Sequence, residues 1–258
     1  MLTVPDLTAA AFGAAPSQWP LPAARTDEQR WLRAVAAGGQ GRYATAFAEL
    51  AELRRTAGAP LVSLSHSTQA SLLRQLGWHD RARDWDGRAL ARAGTDPQAR
   101  ADALVGLAAD ALGVGRLATS AALLAAAEGV PGPPRSGVRF AWVSAELAMA
   151  SGDGAAAVMH ARRGVELAEP LASVRHRTKS NVVLAAALCC AGRLDDSRTL
   201  ADGLLERTAA HGLIPLRWAV ASLLTGIGST AHDRPDIEVI RDESAALVEH
   251  RGGHWQRG

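Results

Sequence analysis

Small residues and turn glycines recur along the chain at a spacing typical of helices joined by short turns. Six times an alanine is followed seven positions later by a glycine, and successive glycines lie 36 to 40 residues apart. A period of this length predicts an array of helical repeats. Valine and isoleucine are scattered among alanine, leucine and arginine, so no convincing β-strand is predicted. The six pairs are Ala34/Gly41, Ala70/Gly77, Ala108/Gly115, Ala145/Gly152, Ala185/Gly192 and Ala221/Gly228.

The chain is predicted to divide into a short arm and a long array. Residues 1–24 contain four prolines and are predicted to form an N-terminal arm with one short helix. The array occupies 25–258, and a capping box at Thr26–Gln29 begins its first helix. The predicted helices are 27–38, 43–56, 62–76, 79–93, 97–113, 117–128, 136–151, 154–168, 172–191, 194–210, one from 215, and 235–250.

Three stretches depart from the regular pattern. Residues 129–135 are rich in proline and glycine, and they are either a longer loop or a mild hinge. The pair of helices within 213–250 is separated by an unusually long connection, as expected of an atypical hairpin that caps the end of an array. Residues 251–258 follow as a C-terminal tail.

The alanine and glycine positions have a geometric reason. Two helices joined by a tight turn must pack closely, and the glycine supplies the positive φ that a helix C-terminus commonly needs. The second helix of each pair also has a small residue five positions after the glycine, except in the sixth unit, which has Asp233 there. These residues are Ala46, Ala82, Ser120, Ala157 and Ser197.

Segments such as Gly41–Ala46 and Gly192–Ser197 resemble the signature of tetratricopeptide-repeat (TPR) proteins, over about residues 26–228. The units are longer than the family's repeat of about 34 residues, and most lack its terminal proline. Longer units of this kind resemble the TPR-like regulatory arms of bacterial transcription activators. The resemblance implies an all-α fold, a right-handed α-solenoid of about six helix-turn-helix hairpins, with a concave groove that binds protein partners.

Three tryptophans occupy equivalent positions, three residues before the signature alanine of their units: Trp31, Trp142 and Trp218. By resemblance to TPR proteins this position faces the groove, whereas one register away it would be a packing position. Slipping the register by one spoils the alanine pattern, which favours the groove, but packing between helices stays an open alternative. The partner-binding positions that the resemblance implies are Trp31, Arg139, Trp142, Glu146, Met149, Lys179, Trp218 and Ser222.

Charge narrows the choice of partner. The chain has 28 basic and 26 acidic residues, and Lys179 is its only lysine. Arg139 and Lys179 lie at matching positions of adjacent units, so they and the tryptophans favour a peptide or protein partner and leave an acidic one open. The densest basic run, 175–179, is short and lacks interleaved aromatic residues, so we expect a solvated helix turn and no nucleic-acid site.

The remaining sequence features concern the cellular compartment of the protein. Cys189 and Cys190 are adjacent, so a disulfide between them would be strained. We expect two buried free thiols and a reducing compartment. No apolar run predicts a membrane span or a membrane partner, and the N-terminus lacks the basic region of a secretory signal. These features indicate a cytoplasmic protein.

Catalytic signals are weak. The chain contains no phosphate-binding loop and no nucleophile elbow. His250 and His254 are four apart, but Gly252 and Gly253 lie between them, so we expect a frayed tail and no metal site. No catalytic residue, metal or other cofactor is predicted, and the chain is not expected to be an enzyme.

The sequence therefore predicts a protein–protein interaction module, as a scaffold or a regulatory adaptor. Two alternatives stay open. One is a homo-oligomer that uses the same aromatic surface, which exposed apolar residues on the last hairpin would favour. The other is a sensor arm that acts in trans in transcriptional regulation. The apolar residues in question are Ile237, Ile240, Leu247 and Val248.

Overall fold

The computed structural model describes residues 6–256, which contain thirteen helices and no β-strand. The all-helical prediction is confirmed, and each predicted helix in the array lies within three residues of an observed one. The helices are α1 (Leu7–Phe12), α2 (Asp27–Gly39), α3 (Tyr43–Thr56), α4 (Ala59–Gln75), α5 (His79–Ala93), α6 (Pro97–Gly113), α7 (Leu117–Ala127), α8 (Pro134–Ala150), α9 (Gly154–Ala168), α10 (Val174–Cys190), α11 (Leu194–Ala210), α12 (Ile214–Ile227) and α13 (Arg234–His250).

The repeated alanines and glycines have the roles that the spacing predicts. All six alanines are fully buried, and all six glycines have positive φ, between 74° and 89°. The first turn shows the mechanism, because Arg42 N donates to Ala37 O and Gly41 N to Gly38 O, which satisfies carbonyls at the end of α2. The small residues of the following helices are also fully buried in the first five units, so adjacent helices approach closely.

The helices form two layers. From α2 onward each helix packs against the next, and each even-numbered helix also contacts the following even-numbered one. Arg175 in α10 donates to Val35 O in α2 at 3.2 Å, although the two residues are 140 positions apart. The even-numbered helices therefore line the interior of the array, and we call their surface there the inner face.

The segment after α13 returns to the beginning of the array. Ala44 N donates to Arg251 O at 2.9 Å, and Gln256 N donates to Leu76 O at 2.8 Å. The indole of Trp78 donates to His254 O at 2.6 Å. The prediction of a frayed tail is therefore wrong, because three backbone groups of residues 251–256 form hydrogen bonds with the first two helix pairs.

Three further expectations are corrected. Ile237 and Val248 are buried, because α13 packs on α12 and on the start of the array, so the last helix pair does not expose the predicted apolar face. The thiols of Cys189 and Cys190 are free, as expected, but Cys189 is only partly buried and Cys190 is exposed. Adjacent helical side chains point about 100° apart, so both cannot face the same interior.

The basic run in α10 is also not a solvated turn. His176 and Thr178 are buried, and Arg175 and Lys179 are partly buried. No helix within residues 6–256 has the length and apolar character that crossing a bilayer requires.

Candidate functional site

The short helix α1 lies on the inner face. Asp6 caps it by accepting a hydrogen bond from Thr8 N at 2.8 Å. Leu7, Ala10 and Ala11 are then buried against the array. Its C-terminal end is held from the opposite wall, where Val174 N donates to Gly13 O at 3.1 Å. The arm thus places a peptide-like segment between the first and fifth even-numbered helices, α2 and α10.

Phe12 connects this segment to the predicted tryptophans. Its ring lies 5.4 Å from the ring of Trp31 and 5.9 Å from that of His176. His176 in turn stacks on Trp142 at 5.4 Å. A continuous aromatic row therefore crosses the inner face, beginning in α2, passing through α1 and α10, and ending in α8.

The indole nitrogens show that the same tryptophans also pack between helices. Trp31 Nε1 donates to Thr68 Oγ1 at 3.0 Å, and Trp142 Nε1 donates to Ser180 Oγ at 2.8 Å. Each bond reaches the next even-numbered helix, and both tryptophans are only 7% exposed. The packing between helices that the sequence left open is therefore present at both tryptophans, and the groove-facing role stays a prediction.

Trp218 lies elsewhere. Its ring packs on Trp255 of the C-terminal tail at 4.3 Å, and it is partly buried. The Ser222 hydroxyl donates to Trp218 O within their own helix, which leaves it a minor surface group. The structure thus links Trp31 and Trp142 through Phe12 and His176, and it places Trp218 against the tail.

Arginines from α8 frame the aromatic row. Arg135 lies over the rings of Phe12 and Trp31, at 5.2 and 5.5 Å from their centroids. Arg135 and Arg139 both pair with the buried carboxylate of Asp102 in α6, the former at 2.8 Å. Burial alone would raise the pKa of Asp102, but Arg139 and Arg135 outweigh it and hold that pKa below its usual value.

Among residues 6–256, Arg175 and Lys179 of α10 form no ion pair with a carboxylate. Burial and the nearby Arg135 and Arg139 lower the pKa of Arg175 to about 10. Burial also lowers the pKa of Lys179, with Arg139 adding to the shift and Glu146 opposing it. Lys179 Nζ lies 4.5 Å from the centre of the Trp142 ring and has no ion pair within residues 6–256. This ammonium therefore stays available for an anion.

Met149, the remaining predicted residue, is partly buried and packs with the apolar cluster around Trp142. We use the name inner-face site for Trp31, Arg135, Trp142, His176 and Lys179. Sequence reasoning missed Arg135, although its spacing of four from Arg139 places both on one face of α8. It also gave His176 no role, because nothing in the sequence shows that Phe12 would reach it.

A second charged group lies next to this site. Arg74 Nη1 lies between two buried carboxylates, 2.5 Å from Asp86 Oδ2 and 2.6 Å from Asp110 Oδ1. Burial raises the pKa of Asp86 to about 7, with Asp110 adding to the shift and Arg74 opposing it. Within the described part of the chain no group of three or more His, Cys, Asp or Glu side chains could hold a metal ion.

Comparison with known proteins leaves the family unassigned, since no protein-family model matches the chain and no curated protein is similar to it in sequence.

Proposed function

We propose that the chain is a non-enzymatic protein–protein interaction module, built as a right-handed α-solenoid of about six TPR-like hairpins. Its partner is a peptide or a peptide-like segment of a protein, bound at the inner-face site. The observation that carries this proposal is that the site already holds such a segment, because α1 and Phe12 lie on Trp31 and His176. A surface that orders its own short apolar helix has the chemistry to order another.

The charge of the site refines the partner. Arg135 and Arg139 share the single carboxylate of Asp102, whereas Lys179 carries an ammonium with no ion pair inside the described chain. Its Nζ lies against Trp142, one helical turn beyond the point where His176 meets Phe12. A partner with an aromatic side chain followed by a carboxylate would fill both places. We therefore expect an acidic segment with one large apolar residue.

For such a partner to bind, the N-terminal arm must dissociate from the inner-face site. Phe12 is the largest side chain of α1, and removing its contacts should weaken the arm by about 2 kcal/mol, or roughly 30-fold. A Phe12→Ala variant of the full chain should therefore bind partners more tightly than the wild type, because the intramolecular competitor is weaker.

The test is a selection of random peptides displayed on phage, with Phe12→Ala as the target. Enriched peptides should carry an aromatic residue and acidic residues. They should bind wild type more weakly, and they should lose affinity for a Phe12→Ala/Lys179→Gln variant. Arg100→Gln in the same background is the matched control, since Arg100 is exposed on α6 and its replacement removes the same charge elsewhere. Peptides that bind wild type and Phe12→Ala equally, or that ignore Lys179→Gln, would refute the assignment.

A further inference from the structure

A second cationic group lies away from the inner face, where α3, α4 and α5 meet. Arg54 comes from α3, His66 from α4, and Trp85, Arg88 and Arg92 from α5. We call these five residues the outer arginine cluster. Trp85, Arg88 and Arg92 are three and four positions apart, so they lie along one face of α5.

The side chains converge on the indole ring. The guanidinium carbon of Arg54 lies 4.7 Å from the centre of the Trp85 ring, and that of Arg88 lies 5.0 Å away. The His66 ring lies 5.3 Å from the same indole. Trp85 and His66 are partly buried and Arg88 is exposed, so the cluster has a built floor and an open side.

No acidic side chain in the described part of the chain forms an ion pair with these arginines. Within residues 6–256 neither Arg54, Arg88 nor Arg92 forms an ion pair, whereas Arg74, Arg135 and Arg139 all do. Two polar atoms of the cluster, Arg54 Nη1 and His66 Nδ1, are shielded from solvent and have no hydrogen-bond partner in that part of the chain. Buried polar atoms are nearly always paired, so Arg54 Nη1, which can only donate, points to a missing acceptor, and His66 Nδ1 lacks a partner beside it.

The electrostatics agree with the geometry. Burial, then Arg54, Arg88 and Arg92 in turn, lower the pKa of His66 to about 4. Burial and Arg88 lower the pKa of Arg54. At neutral pH the imidazole is therefore uncharged and able to donate one N–H, while three guanidiniums supply the positive potential.

We propose that the outer arginine cluster binds a phosphoryl group. Three guanidiniums offer more donors than the two oxygens of a carboxylate can accept, and the three peripheral oxygens of a phosphate match them better. A dianion also balances this charge more closely than a monoanion. The site involves none of the inner-face residues, so it stands or falls independently of the proposed partner-binding function.

The experiment is a titration of the full chain at constant ionic strength, followed by the NMR signals of the His66 ring and the Trp85 indole. Inorganic phosphate is the first probe and O-phosphoserine is the second. Chloride, a monoanion, and succinate, a dianion without a phosphoryl group, are the control anions. Saturable shifts with phosphate are expected, together with a rise of the His66 pKa by about one unit or more, because a nearby dianion favours the imidazolium. A stronger response to O-phosphoserine than to phosphate would indicate that the site binds a phosphate ester. Equal responses to the two probes would indicate that it binds the free phosphate ion.

Arg88→Gln tests the guanidinium contacts at a residue exposed enough to change without unfolding the chain. It should weaken phosphate binding about tenfold, the usual effect of losing a charge-assisted hydrogen bond. Arg100→Gln removes the same charge from an exposed position on α6 and should leave binding unchanged. If both variants weakened phosphate binding equally, the effect would come from net charge alone, and the proposal would be overturned. Equal shifts with chloride or succinate would overturn it as well, leaving a stacked arginine–tryptophan cluster without a ligand.

Discussion

Asp86 should make the stability of the protein depend on pH in an unusual direction. It is fully buried and shares one guanidinium, that of Arg74, with the buried carboxyl of Asp110. One positive charge faces two carboxylates, so the group is balanced when it holds one extra proton. Burial, aided by Asp110 and opposed by Arg74, raises the pKa of Asp86 to about 7.

The sign follows from proton counting. The unfolded chain loses the Asp86 proton near the ordinary aspartate pKa of 3.8, whereas the folded chain keeps it until about pH 7. Between these values the folded state binds one more proton, so the free energy of unfolding decreases as the pH rises, by about 1.4 kcal/mol per pH unit. From pH 5 to pH 7 the loss should be about 2 to 3 kcal/mol, and this contribution should become constant about one pH unit above the folded-state pKa.

Asp86→Asn removes the titration and keeps the shape. Urea unfolding of wild type and variant, followed by far-ultraviolet circular dichroism at several pH values, gives the difference in free energy of unfolding. That difference should move in favour of Asp86→Asn as the pH rises from 5 to 7. Asp84→Asn, an exposed change of the same charge on α5, is the control for net charge. A difference that stays flat with pH, or that moves in favour of wild type, would refute the reasoning.

Two other substitutions test packing. Trp255→Ala should lower the free energy of unfolding by about 2 to 3 kcal/mol, because it removes a ring packed 4.3 Å from Trp218; a loss below about 0.5 kcal/mol in urea titrations would mean that the tail contributes little. Gly106→Ala should also be destabilising, by about 1 to 3 kcal/mol, since the new Cβ would overlap the buried carboxylate of Asp86. At Gly203 a new Cβ would meet no atom within 4 Å, so Gly203→Ala should instead stabilise α11 by up to about 1 kcal/mol. Thermal unfolding measures both variants, and a change in stability of the same sign for both would contradict the packing.

The sequence predicted the array well because its signals are local. Ala34 and Gly41 lie in one helix and its turn, so a repeated spacing was enough to place the helices and the positive φ angles. The same reasoning could not predict that α1 lies on the inner face. Phe12 meets His176 across most of the chain, and no period in the sequence connects an arm residue to the fifth unit.

The ion pairs of Arg135 and Arg139 could be predicted only in part, because they too depend on contacts between units. The spacing of Arg135 and Arg139 places both on one face of α8, and the sequence alone is enough to show it. Their shared partner Asp102 belongs to another unit, and Asp residues at comparable positions are common in solvated helices. Only the packing of α6 on α8 shows that its carboxylate is buried and joins the two.

The return of the C-terminal tail changes how the chain must reach and leave its folded state. In an open array each unit needs only its neighbours, so folding can begin anywhere and the ends can open alone. Here Arg251 donates to Gln40 O across 211 positions, and closing a loop of that length costs about 5 kcal/mol of chain entropy. The first helix pair therefore gains its last contacts only after α13 has formed. A force applied between α2 and the C-terminal tail would load these contacts directly, so we expect that part of the chain to resist stretching as one unit and then to yield abruptly.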